Sequence, residues 1–214
     1  ALLDAFGIPT APIGLARSET EASEAAGAIG YPVALKAVGP TIVHKTEVGG
    51  VRLDLRDAAA VRAAFGDLTR RLGAAMTEAL VQKQIAAGVE VIVGATFDPT
   101  FGPLVLYGSG GTLAELVADV AFRLHPVTDA DVAAMLGEVR ATALLRGFRG
   151  APPADEAALR DVILRVSALL DACPEVREMD LNPVKILEKG AAVLDARVRV
   201  DLRPTLPPSR RIAY

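Results

Sequence analysis

Hydrophobic and polar positions change their period several times along this chain, and each change marks an element. Ala1 to Phe6 is short and helical in character and is closed by Gly7 and Pro9. Ser18-Glu19-Thr20-Glu21 has the form of a capping box, opening a helix whose apolar positions are Ala22, Ala25, Ala26 and Ile29. Gly30 and Pro32 stop it. Pro32 to Val38 is then almost continuously apolar, the mark of a buried strand, with a single lysine, Lys36, in its middle. Val51, Leu53 and Leu55 alternate with charged residues, which predicts a half-exposed strand antiparallel to its neighbour. Asp57 caps a second helix that carries Val61, Ala64, Phe65, Leu68 and Leu72 on one face.

From Leu80 the pattern turns to strands. Leu80 to Ile85 and Val89 to Phe97 flank Ala86-Ala87-Gly88, a connection short enough for a hairpin or a hinge, and Pro103 to Tyr107 is a third run. Gly108-Ser109-Gly110-Gly111 follows, and Thr112-Leu113-Ala114-Glu115 is a second capping box. Phe122 to Val127 is strand-like, and Thr128 or Asp129 caps a helix predicted to run through about Ala143. After a loop over Arg146–Pro153, Leu159, Val162, Ile163, Val166, Leu169 and Leu170 recur at helical spacing. Two final strands, Val176–Leu187 and Ala191–Asp201, meet at Glu188-Lys189-Gly190. The order lacks regular βαβαβ alternation, so the expected class is α+β in two lobes. The expected division is a lead-in over 1–17, a first lobe over 18–79, a second over 80–202 and a proline-rich, basic tail over 203–214.

Composition narrows the class without naming a chemistry. The 214 residues suffice for a full core. Apolar residues make up 51% with mean hydropathy +0.36, yet no apolar run reaches the roughly 18–20 residues of a membrane span, so no membrane is expected. Net charge is −3, with no basic stripe carrying interleaved aromatics, which argues against nucleic acid. One cysteine, Cys173, rules out an intramolecular disulfide framework and fits a reducing, cytoplasmic setting. The chain opens on Ala-Leu-Leu without a signal segment, as expected of an excised domain.

Three places carry candidate chemistry. The first is Lys36 with the loop after it. A lysine in an apolar strand costs several kcal/mol unless an anion meets it, so Lys36 is either a phosphate contact or a snorkelling side chain. Gly39 to Thr46 has the spacing of a phosphate-binding P-loop, but His44 stands where the second glycine lets amides wrap a phosphate, and Pro40 removes a donor. That motif is rejected. His44, beside Lys45, is instead a candidate phosphate ligand, acid or base, or nucleophile, against the alternative of a loop histidine without a role. The second place is the Gly108–Gly111 cluster before a capped helix, where free amides favour an anion. The third is Glu178, Asp180 and Asn182, which alternate along one face of a strand. If Glu188 and Lys189 are a two-residue hairpin loop, Asn182 faces Asp195, and Asp180 lies one step along. Such an oxygen cluster suits Mg²⁺ held against phosphates. A three-residue loop through Gly190 would shift the pairing by one, and a solvated acidic edge strand remains the alternative.

The separated stretches LLDAFGIP, GYPVALKAVGPTIVHKTEVGGV, VEVIVGATFDPTFGPLVLYGSGGTLAELVADVAFRL, LLRGFRGAPPAD and EMDLNPV stand in an order that resembles the ATP-grasp domain of ADP-forming acyl-CoA synthetases, the β subunit or β-like part. The resemblance covers nearly the whole chain. It implies the ATP-grasp fold, two α+β subdomains clamping a nucleotide, with ATP/ADP and Mg²⁺ as ligands. It implies that Lys36 contacts phosphates, with Lys45 nearby, and that His44 relays a phosphoryl group to a histidine on an α-type partner. Gln82, Lys83, Gln84 and Ile85 match a hinge along the adenine, Glu90 an acidic position near the nucleotide, and Gly110 and Gly111 a helix start facing the migrating phosphate. Asn182 and Asp195, with Asp180 close by, match the Mg²⁺ ligands. Ser109 and the Gln82-Lys83-Gln84 hinge depart from the commoner pattern without removing a reacting group. The implied reaction is acyl-CoA + ADP + phosphate giving acid + CoA + ATP, with CoA binding left to an α-type CoA-binding subunit or domain. The same domain occurs fused to acetyltransferase modules in protein lysine acetyltransferases, so a regulatory module with little ligase turnover is the alternative.

Overall fold

In a computed structural model, which describes residues 2–42, 45–85, 87–110 and 119–201, the chain divides into two compact units. One is Ala11–Ala86, and the other joins Ala1–Thr10 to Ala87–Tyr214. In chain order the larger unit begins with α1 (Leu2–Ala5), and the smaller holds β1 (Ile13–Ala16), α2 (Glu19–Ile29), β2 (Val33–Val38), β3 (Val51–Leu55), α3 (Ala58–Leu72) and β4 (Glu78–Lys83). The larger resumes with β5 (Val89–Asp98), β6 (Gly102–Ser109), β7 (Val120–Leu124), α4 (Asp129–Glu138), α5 (Thr142–Leu145), α6 (Glu156–Ala172), β8 (Val176–Ile186), β9 (Ala191–Val193) and β10 (Ala196–Val200).

The smaller unit is an antiparallel sheet in the order β1-β4-β2-β3, with its helices on one face. Val33, Leu35, Ala79 and Val81 pack against Ala22, Ala26, Val61, Phe65 and Leu68. Both helices start where the sequence predicts, although the capping box at Ser18 is incomplete, the Glu21 carboxylate accepting the Arg17 amide at 2.7 Å in place of the Ser18 amide. The Ser18 hydroxyl accepts the Glu21 amide at 3.2 Å and the Asp57 carboxylate accepts the Ala60 amide at 2.8 Å. Alternation along β2 sends Val33 and Leu35 into this core and Lys36 to the opposite, open face of the sheet. Lys36 is therefore not a charge inside the core.

The larger unit is an antiparallel sheet in the order β10-β8-β5-β6-β7, with β9 also paired to β8. One face carries Val91, Val93, Val105, Tyr107, Met179 and Leu181 into a core with Val132, Met135, Leu159, Ile163 and Val166 of the helices. The Tyr107 hydroxyl is satisfied inside it by Thr142 at 3.0 Å.

Several expectations are corrected. The strand β1 was not expected; it is an edge strand whose four residues show no alternation, and its pairing with β4 defines it. The runs on either side of Ala86-Ala87-Gly88 are not a hairpin: β4 lies in the smaller sheet and β5 in the larger. A lobe boundary at 79/80 would cut through β4, which pairs with β2 along its whole length. The lead-in also divides, since the Val193 amide donates to the Pro9 carbonyl at 2.9 Å and Ile8 lies in the larger core. The helix expected through Ala143 breaks after Glu138. There the Asp119 carboxylate accepts the Arg140 and Ala141 amides, at 3.0 and 2.8 Å, in the turn that leads into α5. The helix expected from Thr112 lies outside the described residues.

Candidate functional site

The hairpin that closes the chain follows the two-residue-loop register. The Leu187 amide donates to the Gly190 carbonyl at 3.0 Å across Glu188-Lys189, with Gly190 at φ +80°. Val184 then faces Val193, Lys185 faces Ala192, and beyond a break at Leu194-Asp195 Leu181 faces Ala196 and Asp180 faces Arg197. In that frame the Asn182 amide donates to the Asp195 carbonyl at 3.1 Å, so these two residues stand opposite each other as the loop length predicts. On the other side of β8, Val91 pairs with Val184 and Val93 with Leu181, leaving Asn182 and Pro183 against the single residue Ile92. This bulge releases the Asn182–Pro183 stretch from the ladder at the point where its polar side chain is wanted.

Asp180 is the least satisfied group in this cluster. Its Oδ1 is buried and has no hydrogen-bond partner. Burial pushes its carboxyl above the ordinary carboxylate value, opposed by Arg197 and reinforced by the charges of Asp195 and Glu178. Across the sheet its neighbour is Gly94, where a Cβ would come within 2.5 Å of the Met179 carbonyl. The glycine leaves a hollow of about 170 Å³ beside Asp180, lined also by Ile92, Thr96, Leu106, Phe122 and Glu178 on the open face of the sheet. Among the described residues no group of three or more His, Cys, Asp or Glu could hold a metal. Two carboxylates and an amide fit an ion that keeps waters and binds substrate phosphates, which is the habit of Mg²⁺.

The expected nucleotide residues fall into two sets. Gln82 is buried and pairs with Ala34 and Ile13, on the same face of the smaller sheet as Lys36, whose own partners are Leu80 and Val51. The Lys83 side chain lies on the other face of the sheet. It pairs with Val33 and so points to the helix side, where its ammonium donates to the carbonyls of Gly30 at 2.9 Å and Tyr31 at 2.7 Å. Its side chain closes the end of α2. The Gln84 side chain accepts the Asp54 amide at 2.6 Å, Ile85 follows β4, and Lys45 lies in a turn whose carbonyl accepts the Gly50 amide. Glu90 stands opposite Lys185, with 3.6 Å between Oε1 and Nζ. The Glu90 carbonyl accepts the Gly110 amide at 3.1 Å, and a Cβ on Gly110 would strike the Val91 backbone at 2.6 Å. His44 and Gly111 lie outside the described residues.

Lys185 was missed. It is a buried lysine on β8, three residues from Asn182, and its signal is the one that drew attention to Lys36: a lysine inside an apolar run, here Val184-Lys185-Ile186-Leu187. The His125 ring is hydrogen-bonded to Ser167 at 3.0 Å and Asp171 at 2.9 Å.

A family model for the ATP-grasp domain matches residues 1–200. The chain is 47% identical over 201 residues to an ADP-forming acetate–CoA ligase I of Archaeoglobus fulgidus, covering 92% of this chain but only 29% of that protein. It is 38% identical over 202 residues to the β subunit of an ADP-forming acetate–CoA ligase I of Pyrococcus furiosus, covering 92% of this chain and 87% of that subunit. Among solved structures, an acetyl-coenzyme A synthetase 1 of Ca. Korarchaeum cryptofilum in complex with coenzyme A and Ca-AMPCP superposes with a TM-score of 0.89 at 42% identity, covering 93% of this chain and 89% of that one. A second complex of that enzyme, with Mg-AMPPCP and a phosphohistidine segment pointing towards the nucleotide-binding site, gives a TM-score of 0.83 at 40% identity, covering 93% and 88%.

Proposed function

The chain belongs to the ATP-grasp domain family, and from that premise we propose that it is the nucleotide-binding, phosphoryl-transferring part of an ADP-forming acyl-CoA synthetase. The reaction is acyl-CoA + ADP + phosphate giving acid + CoA + ATP, and CoA chemistry belongs to an α-type subunit or fused domain. The likeness to a β subunit along 87% of its length supports this division of labour. The relatives compared are ligases and do not favour the acetyltransferase-fused alternative. Among the described residues no helix is long and apolar enough to cross a membrane, and the free Cys173 fits a reducing cytoplasm.

One observation carries the reading: the terminal hairpin sets Asn182 opposite Asp195 and leaves Asp180 with a buried, unpartnered oxygen beside an open hollow. Asn182, Asp195 and Asp180 would hold Mg²⁺, which when bound neutralises phosphate charge and orients the transferring group. Lys36 contributes a cation towards phosphate from the open face of the smaller sheet, with Gln82 on the same face. Glu90, an acceptor that repels phosphate, suits the donors of the nucleoside end, and the Gly110–Gly111 amides suit the migrating phosphate. His44 accepts the phosphoryl group at a ring nitrogen, releasing ADP in the ATP-consuming direction, and passes it to a histidine of the α-type partner. That the second Korarchaeum complex carries a phosphohistidine segment directed at its nucleotide site supports phosphoryl transfer to histidine near the nucleotide.

The test is a titration of ADP with Mg²⁺ into the full-length protein, repeated with Lys36→Ala and Asp195→Ala. Each variant should lose at least about tenfold in affinity, as removal of a charge-assisted contact worth roughly 1.5–3 kcal/mol requires. Wild-type affinity in both would sink the assignment.

A further inference from the structure

The segment that follows His44 in sequence is held by two arginines. Lys45–Gly50 folds on itself, the Gly49 amide donating to the Thr46 carbonyl at 3.0 Å and the Gly50 amide to the Lys45 carbonyl at 2.6 Å. The Gly50 carbonyl accepts the amide of Ala37 at 2.7 Å, directly after Lys36 on β2. Arg52 Nη1 donates to the Gly49 carbonyl at 2.8 Å and the Val51 carbonyl at 2.9 Å. Its Nε donates to Asp67 Oδ2 at 3.2 Å, and Nη2 pairs with the same oxygen. One helical turn along α3, Arg71 Nε donates to the Val48 carbonyl at 3.2 Å. Gly49 sits at φ +65°, and a Cβ there would lie 2.7–2.9 Å from the Arg71 guanidinium. Arg52 thus has four of its five N–H groups engaged, and its fork faces carbonyls and Asp67. It is built to hold backbone, and holds no fork ready for a phosphate.

We propose that Arg52, oriented by Asp67, and Arg71 are positioning residues that fix Lys45–Gly50 and, through it, set the rate of phosphoryl transfer to His44. The inference rests on the relay reading above. His44 is bonded directly to Lys45, whose carbonyl is the anchor for Gly50, and a displacement of about 1 Å at a reacting group can cost on the order of 10²-fold in rate. None of the three side chains touches the nucleotide in this scheme. Their loss should therefore slow transfer while leaving nucleotide affinity nearly intact.

The experiment uses the full-length protein with its α-type part, Mg²⁺ and γ-labelled ATP. The rate at which acid-labile label appears on the peptide containing His44 is measured beside ATP affinity. Arg52→Lys, which keeps charge but loses the fork, and Gly49→Ala, which displaces Arg71, are compared with wild type and with His44→Ala. The expected result is a fall of at least about tenfold in labelling rate, with affinity changed less than about threefold. Wild-type labelling rates in both variants overturn the inference alone, provided that His44→Ala removes the label. Equal losses of affinity and rate, the mark of general disruption, also overturn it. If wild-type protein never labels the His44 peptide, the relay reading falls and the inference falls with it.

Discussion

Asp180→Asn should make the empty protein more stable and the ligand-bound protein relatively less so. Folding shuts Asp180 Oδ1 away from water without a partner. A buried acceptor left unsatisfied costs roughly 1–3 kcal/mol and an ionised one more, so Asn, which keeps a polar atom there without the charge, relieves the excess. Arg197, opposite on β10, offsets part of the cost, and the residue as a whole is only half-buried, so about 1 kcal/mol is the figure to expect. For a domain of this size that is a rise of roughly 2–4 °C in Tm. The pH dependence follows from the direction of the shift. A carboxyl whose folded pKa is raised destabilises the fold above that raised value, and the penalty vanishes as pH falls below the unfolded value, near about 4. The advantage of the variant should therefore disappear in acid. Ligand binding tests the other half. At about 100 times its Kd, Mg·ADP stabilises wild type by about 2.7 kcal/mol, and a tenfold weaker variant at the same concentration gains only about 1.4 kcal/mol. Scanning calorimetry or dye-monitored melting at neutral pH, with and without Mg·ADP, reads both effects. A variant that melts lower when empty and keeps the full Mg·ADP shift would refute the assignment of Asp180 as a strained, cation-seeking carboxylate.

Three further outcomes follow from particular contacts. Lys83→Met should lower Tm by several °C, because two carbonyls at the end of α2 lose their donor, yet leave Mg·ADP affinity at the wild-type value; a tenfold loss of affinity would restore Lys83 to the nucleotide site. Asp155 joins the start of α6 to the hairpin tip, accepting the Ala158 amide at 3.0 Å and the Gly190 amide at 2.8 Å, and these bonds hold its carboxyl below the usual range. Asp155→Asn keeps one acceptor but turns an NH₂ towards the other amide, so Tm should drop by roughly 2–4 °C at pH 7, as for one lost hydrogen bond of about 1 kcal/mol. Because a depressed pKa stabilises above the unfolded value and is lost as pH falls through the folded one, that gap should close in acid unfolding curves below about pH 4. Gly110→Ala places a methyl 2.6 Å from the Val91 backbone and should cost roughly 1–3 kcal/mol by denaturant titration; a neutral result would mean that β6 does not end against β5 in this way.

Whatever rests on neighbours in sequence was legible from the sequence. Ser18, Asp57 and Thr128 start helices because a short oxygen-bearing side chain accepts an amide three residues on, and that reach is local. The register of the last hairpin was legible only as a pair of alternatives, and the Leu187–Gly190 hydrogen bond selects the two-residue loop, which sets Asn182 against Asp195. Pairings between distant segments were not legible. Whether Leu80–Ile85 joins Val89–Phe97 or a strand elsewhere depends on which sheet can bury its apolar face, and β4 is placed by β1 and β2. That choice also decides the direction of Lys83, since a side chain on a strand takes its side from the register and not from its neighbours in sequence. The turn before α5 is held by Asp119, far earlier in the chain, and Asp180 is left with a buried, unpartnered oxygen on a strand flanked by β5 and β10. Chemical identity was written into the sequence; which groups are satisfied and which are left seeking a partner was decided by tertiary packing, because burial and pairing belong to segments that meet only when the chain folds.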